Sequence, residues 1–150
     1  MGDHNVLNIS TVDCIKDVAR RLGWDGQKTE SARKMLSELK RISIDFNDYP
    51  YIDCVNKISL FEQEREYYGV STDKCIIFIH CREPEEIEKY KKRLNATTLL
   101  ITNSHVKPAN NSSDLSVLDY EYDYIIDNSK GFMQLYQAAA EFCDEILKGE

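Results

Sequence analysis

Cys75-Ile-Ile-Phe-Ile-His-Cys-Arg-Glu-Pro-Glu-Glu-Ile87 opens with a continuous apolar run and closes with Arg82, Glu83, Pro84 and the start of a helical pattern. An apolar run of this length, without polar alternation, predicts a strand covered on both faces, as in a parallel sheet. Pro84 falls where a first helical turn accepts proline. The unit therefore reads as strand, very short turn, helix. In open α/β proteins the carboxyl end of such a strand is where ligands bind. Here that end carries the cation Arg82, so an anion is the natural guest.

The neighbouring sequence repeats the alternation. Val6 to Ile9 is a short apolar run. Ser10-Thr11-Val12-Asp13 has the composition of a helix start, with a hydroxyl cap and a first-turn acid. Ile15, Val18, Ala19 and Leu22 keep helical spacing up to Gly23. A second helix is predicted from about Glu30 to Ile42, on the stripe Ala32, Met35, Leu36, Leu39 and Ile42, with Arg33, Ser37 and Lys40 stacked on its other side. A third, less regular helix is predicted from Tyr51 to Tyr68. After the Cys75–His80 strand comes a helix with Ile87, Tyr90 and Leu94 on its apolar face, then a strand from Thr97 to Thr102. The segment 103–119 is polar and reads as a loop. Tyr124 to Ile126 is a last short strand, and Phe132 to Leu147 a last helix. Strands alternating with helices predict a mostly parallel sheet between helical layers, a three-layer αβα arrangement in one domain.

Bulk properties narrow the function. The chain has 150 residues, 42% of them hydrophobic and 30% charged, with a formal net charge of -7. That balance argues against nucleic acid and against acidic membrane surfaces, both of which select basic patches. No apolar run reaches the length of a membrane span. The five cysteines are an odd number without a CxxC pair, and no signal-peptide pattern precedes them, which reads as reduced thiols in a cytoplasmic protein.

Three ordered stretches resemble the P-loop nucleoside-monophosphate kinase-like family, of the deoxynucleotide monophosphate kinase and phosphomevalonate kinase type. Ile76 to Ile87 resembles the family's strand ending in arginine. Ala96-Thr97-Thr98-Leu99-Leu100-Ile101 resembles the strand leading to its lid. Asp123-Tyr124-Ile125-Ile126-Asp127-Asn128-Ser129-Lys130-Gly131 resembles its last strand and following turn. The resemblance implies ATP-dependent phosphorylation of a nucleoside monophosphate or a small phosphorylated metabolite, with ATP and Mg²⁺ as cofactors. It implies that Ser10, Thr11, Asp13, Arg33 and Lys40 line the acceptor site, and that Arg82 holds phosphate at the reaction centre. Asn128, Ser129 and the lid residue Lys107 would face ATP, and 103–119 would be the lid. No metal ligand is implied within the chain.

One part of the family pattern is missing. The loop G-x-x-x-x-G-K-[ST], whose amides and lysine cradle the phosphates of ATP, does not occur. None of Gly2, Gly23, Gly26, Gly69, Gly131 and Gly149 precedes Lys-Ser or Lys-Thr, and Lys107 is the only cation in the lid segment. Phosphoryl transfer rests on positioning and charge neutralisation, so a chain without that loop is expected to have little or no kinase activity. The family's first strand lies mid-sheet; without it, two pairs of strands with open edges remain. Such edges invite association into a homo-oligomer. A start almost on the family's second strand fits a truncated product and a naturally shortened protein equally. Two other functions stay open: a non-catalytic phosphate- or nucleotide-binding module, and an interaction protein that oligomerises. Arg82 either binds phosphate or pairs with Glu85 or Glu86. The acids Glu83, Glu85, Glu86 and Glu88 suit the first turns of a helix without any site.

Overall fold

The computed structural model describes residues 5–72, 75–106 and 116–148. It is a mixed α/β structure in which the order of elements follows the alternation expected from the sequence. Strand β1 (Val6–Ser10) is followed by α1 (Asp13–Arg21), α2 (Glu30–Asn47) and α3 (Tyr49–Tyr67). Then come β2 (Ile76–His80), α4 (Pro84–Leu94), β3 (Leu99–Thr102), β4 (Tyr124–Asp127) and α5 (Phe132–Lys148). The strands form two separate parallel pairs. β1 runs beside β2, with Val6 opposite Ile76 and Ser10 opposite His80. β3 runs beside β4, with Leu99 opposite Tyr124 and Thr102 opposite Asp127. The chain divides into two compact units, residues 1–81 and 82–150.

In the first unit, parallel pairing demands a long crossover, and α1, α2 and α3 supply it. The backbone of Thr11 donates to the His80 carbonyl at 3.1 Å and that of Ile76 to the Asn5 carbonyl at 2.9 Å, which extends the ladder at both ends. Ile9, Cys14, Ile15, Ala19, Ala32 and Cys54 are buried and make the core. Closing Ile15 from water stabilises the unit by about 1.5–3 kcal/mol. Thr29 caps α2, its hydroxyl accepting from the Ala32 amide at 3.2 Å. The helix passes the expected end at Ile42 and stops at Asn47; on its exposed face Arg41 bridges Glu38 at 3.1 Å and Asp45 at 2.8 Å. Asp48, at φ 57°, ends α2 and directly begins α3, which is a regular helix of 19 residues with Pro50 in its first turn.

Strand β2 departs from the sequence expectation. Ile76 to Ile79 are half-buried rather than enclosed on both faces. A two-stranded sheet explains this: each strand has one neighbour, and its other edge meets no strand among the described residues.

The second unit has a thinner apolar core: Ile87 and Tyr90 of α4 and Ile126 of β4. Polar bonds compensate. The Asp123 carboxylate accepts from the Thr98 amide at 2.9 Å, from the Thr98 hydroxyl at 2.8 Å and from Lys91 at 2.6 Å. The Asp123 amide donates back to the Thr98 hydroxyl at 2.9 Å. This clasp fixes the start of β4 against the residue before β3. It holds the Asp123 carboxyl at about 2, the Lys91 ammonium being the main cause and the Thr98 bonds the next. Tyr120 donates to Glu88 at 2.8 Å. Helix α5 packs on β4, with Phe142 edge-on to Tyr124 at 5.2 Å between ring centroids.

Candidate functional site

Each strand pair gathers polar groups at its carboxyl end, and each end is built locally. In the first unit, β1 stops at Ser10 and α1 starts three residues later. The expected hydroxyl cap does not form: Val12 holds the cap position without a side-chain bond. Instead the Asp13 carboxylate reaches back and accepts from the Ser10 amide at 2.9 Å, while its other oxygen takes Lys16 at 3.4 Å. Ser10 donates its hydroxyl to the His80 carbonyl at 3.3 Å, tying the two strand tips together. The His80 ring lies 3.3 Å from the Asn8 amide oxygen, one side-chain step back along β1. Arg82, exposed, follows two residues beyond.

The electrostatics behind this tip are mixed. Lys57 of α3 pairs with Asp53 at 2.6 Å. Burial pulls its ammonium down, but the bond to Asp53 and the charges of Asp53 and Asp13 outweigh it and leave the group above its ordinary value. The lysine stays charged, and its positive field extends to Asp13. The neighbouring Cys14 thiol is pushed up to about 11 by burial, reinforced by Asp53 and Cys54, which makes it a poor nucleophile at neutral pH.

In the second unit, β3 and β4 end in a clasp around Ser129. Its hydroxyl accepts from the Ser104 amide at 2.7 Å, its carbonyl lies 3.0 Å from the His105 Nε2, and its amide donates to Asp127 at 2.9 Å. The Ser129 hydroxyl and amide hold the Asp127 carboxyl below its ordinary range, with help from Lys130 and His105. The Asn128 amide continues the ladder to the Thr102 carbonyl at 2.7 Å.

The residues expected at the acceptor site fare differently. Ser10 and Asp13 are joined at the first strand end. Thr11 lies between them in sequence but is 2% exposed, so its side chain belongs to the packing beneath the tip. Arg33 is exposed in the first turns of α2, and Lys40 is half-buried two turns further along. Ser129 is engaged in the loop clasp and Asn128 is half-buried beside it. Lys107 and most of the expected lid, residues 107–115, lie outside the described residues. Sequence reasoning passed over Lys16, Lys57 and Asn8. Lys16 had a local signal, a cation three residues after Asp13 on one helix face. Lys57 had none, because only the packing of α3 on α1 and β1 brings it near.

A hollow of about 530 Å³ along α3 is lined by Ser59, Glu62, Gln63, Glu66, Val70, Ser71 and Thr72. Its carboxylates suit no anion. Among the described residues, no three His, Cys, Asp or Glu side chains are placed to hold a metal ion, and no helix is long and apolar enough to cross a membrane. All five cysteines are free thiols. No family model, no curated protein and no solved structure matches the chain.

Proposed function

We propose that this chain is a non-catalytic phosphate-binding module built on the plan of the nucleoside-monophosphate kinases, with its anion site at the carboxyl end of β1 and β2. The observation that carries the reading is the parallel β1–β2 pair, whose ends bring together Ser10, Asp13 with Lys16, and Asn8 with His80, two residues before Arg82. Ligands of open α/β sheets sit at such strand ends. The sequence resemblance adds weight, because a kinase-like αβα sheet without its middle strand would retain two parallel pairs. Two parallel pairs are what the described residues contain.

In this reading Arg82 supplies the charge-assisted bond to phosphate, Ser10 contributes a hydroxyl, and Asp13 shapes the turn while Lys16 offsets its charge. Arg33 and Lys40 lend positive field from α2, and Thr11 supports the turn from beneath. The ligand class is a nucleoside monophosphate or a small phosphorylated metabolite. Mg²⁺ and ATP would supply phosphoryl transfer only to a chain carrying the glycine-rich phosphate loop, so the ancestral activity is kinase-like and the present one is binding. Free thiols throughout support a reducing compartment such as the cytoplasm.

Calorimetric titration with a panel of monophosphates, and separately with ATP and Mg²⁺, tests this. The expected outcome is saturable binding of a monophosphate, weakened about tenfold or more by Arg82→Ala, as befits loss of one charge-assisted hydrogen bond. Unchanged affinity in that variant would remove Arg82 from the site. Turnover of ATP by the unmodified chain would restore the catalytic reading.

A further inference from the structure

Asp25-Gly26 is the chain's only Asp-Gly pair, and Asn-Gly does not occur. It lies in the turn between α1 and α2, and both residues are exposed. A glycine has no side chain to shield its own nitrogen. Gly26 stands at φ 92°, and a Cβ added there would meet nothing within 4 Å. Among the described residues nothing accepts a hydrogen bond from the Gly26 amide. The Asp25 side chain bends toward that amide. Its Oδ1 accepts from the Gln27 amide at 2.9 Å, and the small ring closed by this bond contains the Asp25–Gly26 peptide. The carboxyl carbon is thereby kept beside the Gly26 nitrogen. Trp24 holds the same turn from its other end, its Nε1 donating to the Gln27 carbonyl at 2.9 Å.

Comparable pairs elsewhere are closed to an attack by the backbone. In Asn103-Ser104 the serine amide is committed to the Ser129 hydroxyl at 2.7 Å. In Asn128-Ser129 it is committed to the Asp127 carboxylate at 2.9 Å. Each serine also carries the Cβ that Gly26 lacks.

We propose that Asp25-Gly26 is a self-modification site, at which the folded turn cyclises to a succinimide and reopens as isoaspartate. The Gly26 nitrogen bonds to Asp25 Cγ and a Cγ–O bond breaks. The carboxyl hydroxyl leaves with the amide proton as one water. A second water then adds to one of the two ring carbonyls. Addition at the backbone carbonyl breaks its bond to the Gly26 nitrogen and leaves the main chain running through Cγ, which is isoaspartate. Addition at Cγ restores aspartate. One water leaves and one returns, so no oxidant or reductant is needed and the mass is unchanged. Isoaspartate inserts one methylene into the main chain between Trp24 and Gln27. The Asp25–Gln27 bond is lost in its present form, and the link between α1 and α2 loosens. The site touches neither strand end and is independent of phosphate binding.

The test is incubation of the folded full chain for weeks in heavy-oxygen water at physiological pH and temperature. A synthetic peptide of residues 22–28, the segment that trypsin releases between Arg21 and Lys28, is incubated beside it. Chromatography of the digest against aspartate and isoaspartate standards separates the isomers, and mass spectrometry counts heavy oxygen. Far-UV circular dichroism verifies that the chain stays folded. The expected result is isoaspartate at residue 25 of the folded chain, one heavy oxygen entering with each conversion. Asp25→Glu keeps the charge but would have to close a six-membered ring, and should gain no label at this position. Unlabelled aspartate at residue 25 of the folded chain while the peptide converts would overturn the proposal. So would faster conversion at Asn103 or Asn128 than at Asp25, or equal labelling of Asp25→Glu.

Discussion

The two units carry the same device, a pair of short parallel strands, and hold it together by different means. Among the described residues, the first closes Ile9, Cys14, Ile15, Ala19, Ala32, Pro50 and Cys54 from water. The second encloses Ile87, Tyr90 and Ile126, and fixes the start of its strand pair with the bonds of one carboxylate, Asp123, to Thr98 and Lys91. Apolar burial is non-directional and roughly proportional to area. A clasp is directional and titratable. The first strand pair should therefore answer to changes of volume and the second to changes of charge.

The largest effect expected is on the first unit. Ile15→Ala empties a completely enclosed site, and should cost about 2–5 kcal/mol, read as a lower urea midpoint for a probe at Trp24. A loss well under 1 kcal/mol would mean that the packing behind β1 is not what supports it.

Asp123→Ala comes next. It leaves the Thr98 amide and hydroxyl without their acceptor, and should destabilise the second unit by about 1–2 kcal/mol after allowance for the carboxylate's partial exposure. Hydrogen exchange at the amides of β3 and β4 reports the loss. Acid separates the units as well. The Asp123 carboxyl titrates at about 2 in the folded chain against 3.8 ordinarily. Its contribution is present above about pH 4 and lost as pH falls from there toward 2. The midpoint difference between the wild type and Asp123→Asn should shrink across that interval; a constant difference would remove the ion pair from the account of the clasp.

Smaller effects mark the edges of the comparison. Gly131 stands at φ 97° between β4 and α5, where an added Cβ would meet only the Gln134 side chain, at 3.6 Å. Gly131→Ala should cost on the order of 1 kcal/mol, from backbone strain rather than collision. Arg41→Ala removes two exposed ion pairs on α2 and should leave the unfolding midpoint where it is.

The sequence made the elements legible wherever periodicity was strong. The apolar run before Arg82 is a strand and Pro84 opens a helix; of the stripe Phe132, Leu135, Tyr136, Ala139, Phe142, Cys143 and Ile146 that the spacing suggests for α5, Leu135, Phe142, Cys143 and Ile146 are half-buried, while Phe132, Tyr136 and Ala139 are exposed. Parallel pairing followed from the alternation of strands and helices. Long-range polar bonds were hidden. Asp123 and Thr98 are 25 residues apart, and no local pattern joins them. The first strand end was half legible. Ser10 and Asp13 stood out as a helix start, but their bond runs from carboxylate to amide rather than from a hydroxyl cap. The burial of Thr11 depends on where β2 lies.

The difference between the units extends to their strand ends. In the second, Asp127, His105 and the Ser129 clasp satisfy one another; in the first, a hydroxyl, an ion pair and a histidine meet two residues before Arg82. The most direct test is an amide chemical-shift titration of the full chain with a nucleoside monophosphate. The expected result is saturable shifts at Ser10, Asp13, His80 and Arg82, lost in Arg82→Ala. No shifts at millimolar ligand, or shifts confined to Ser104, His105, Asn128 and Ser129, would contradict an anion site at the first strand end.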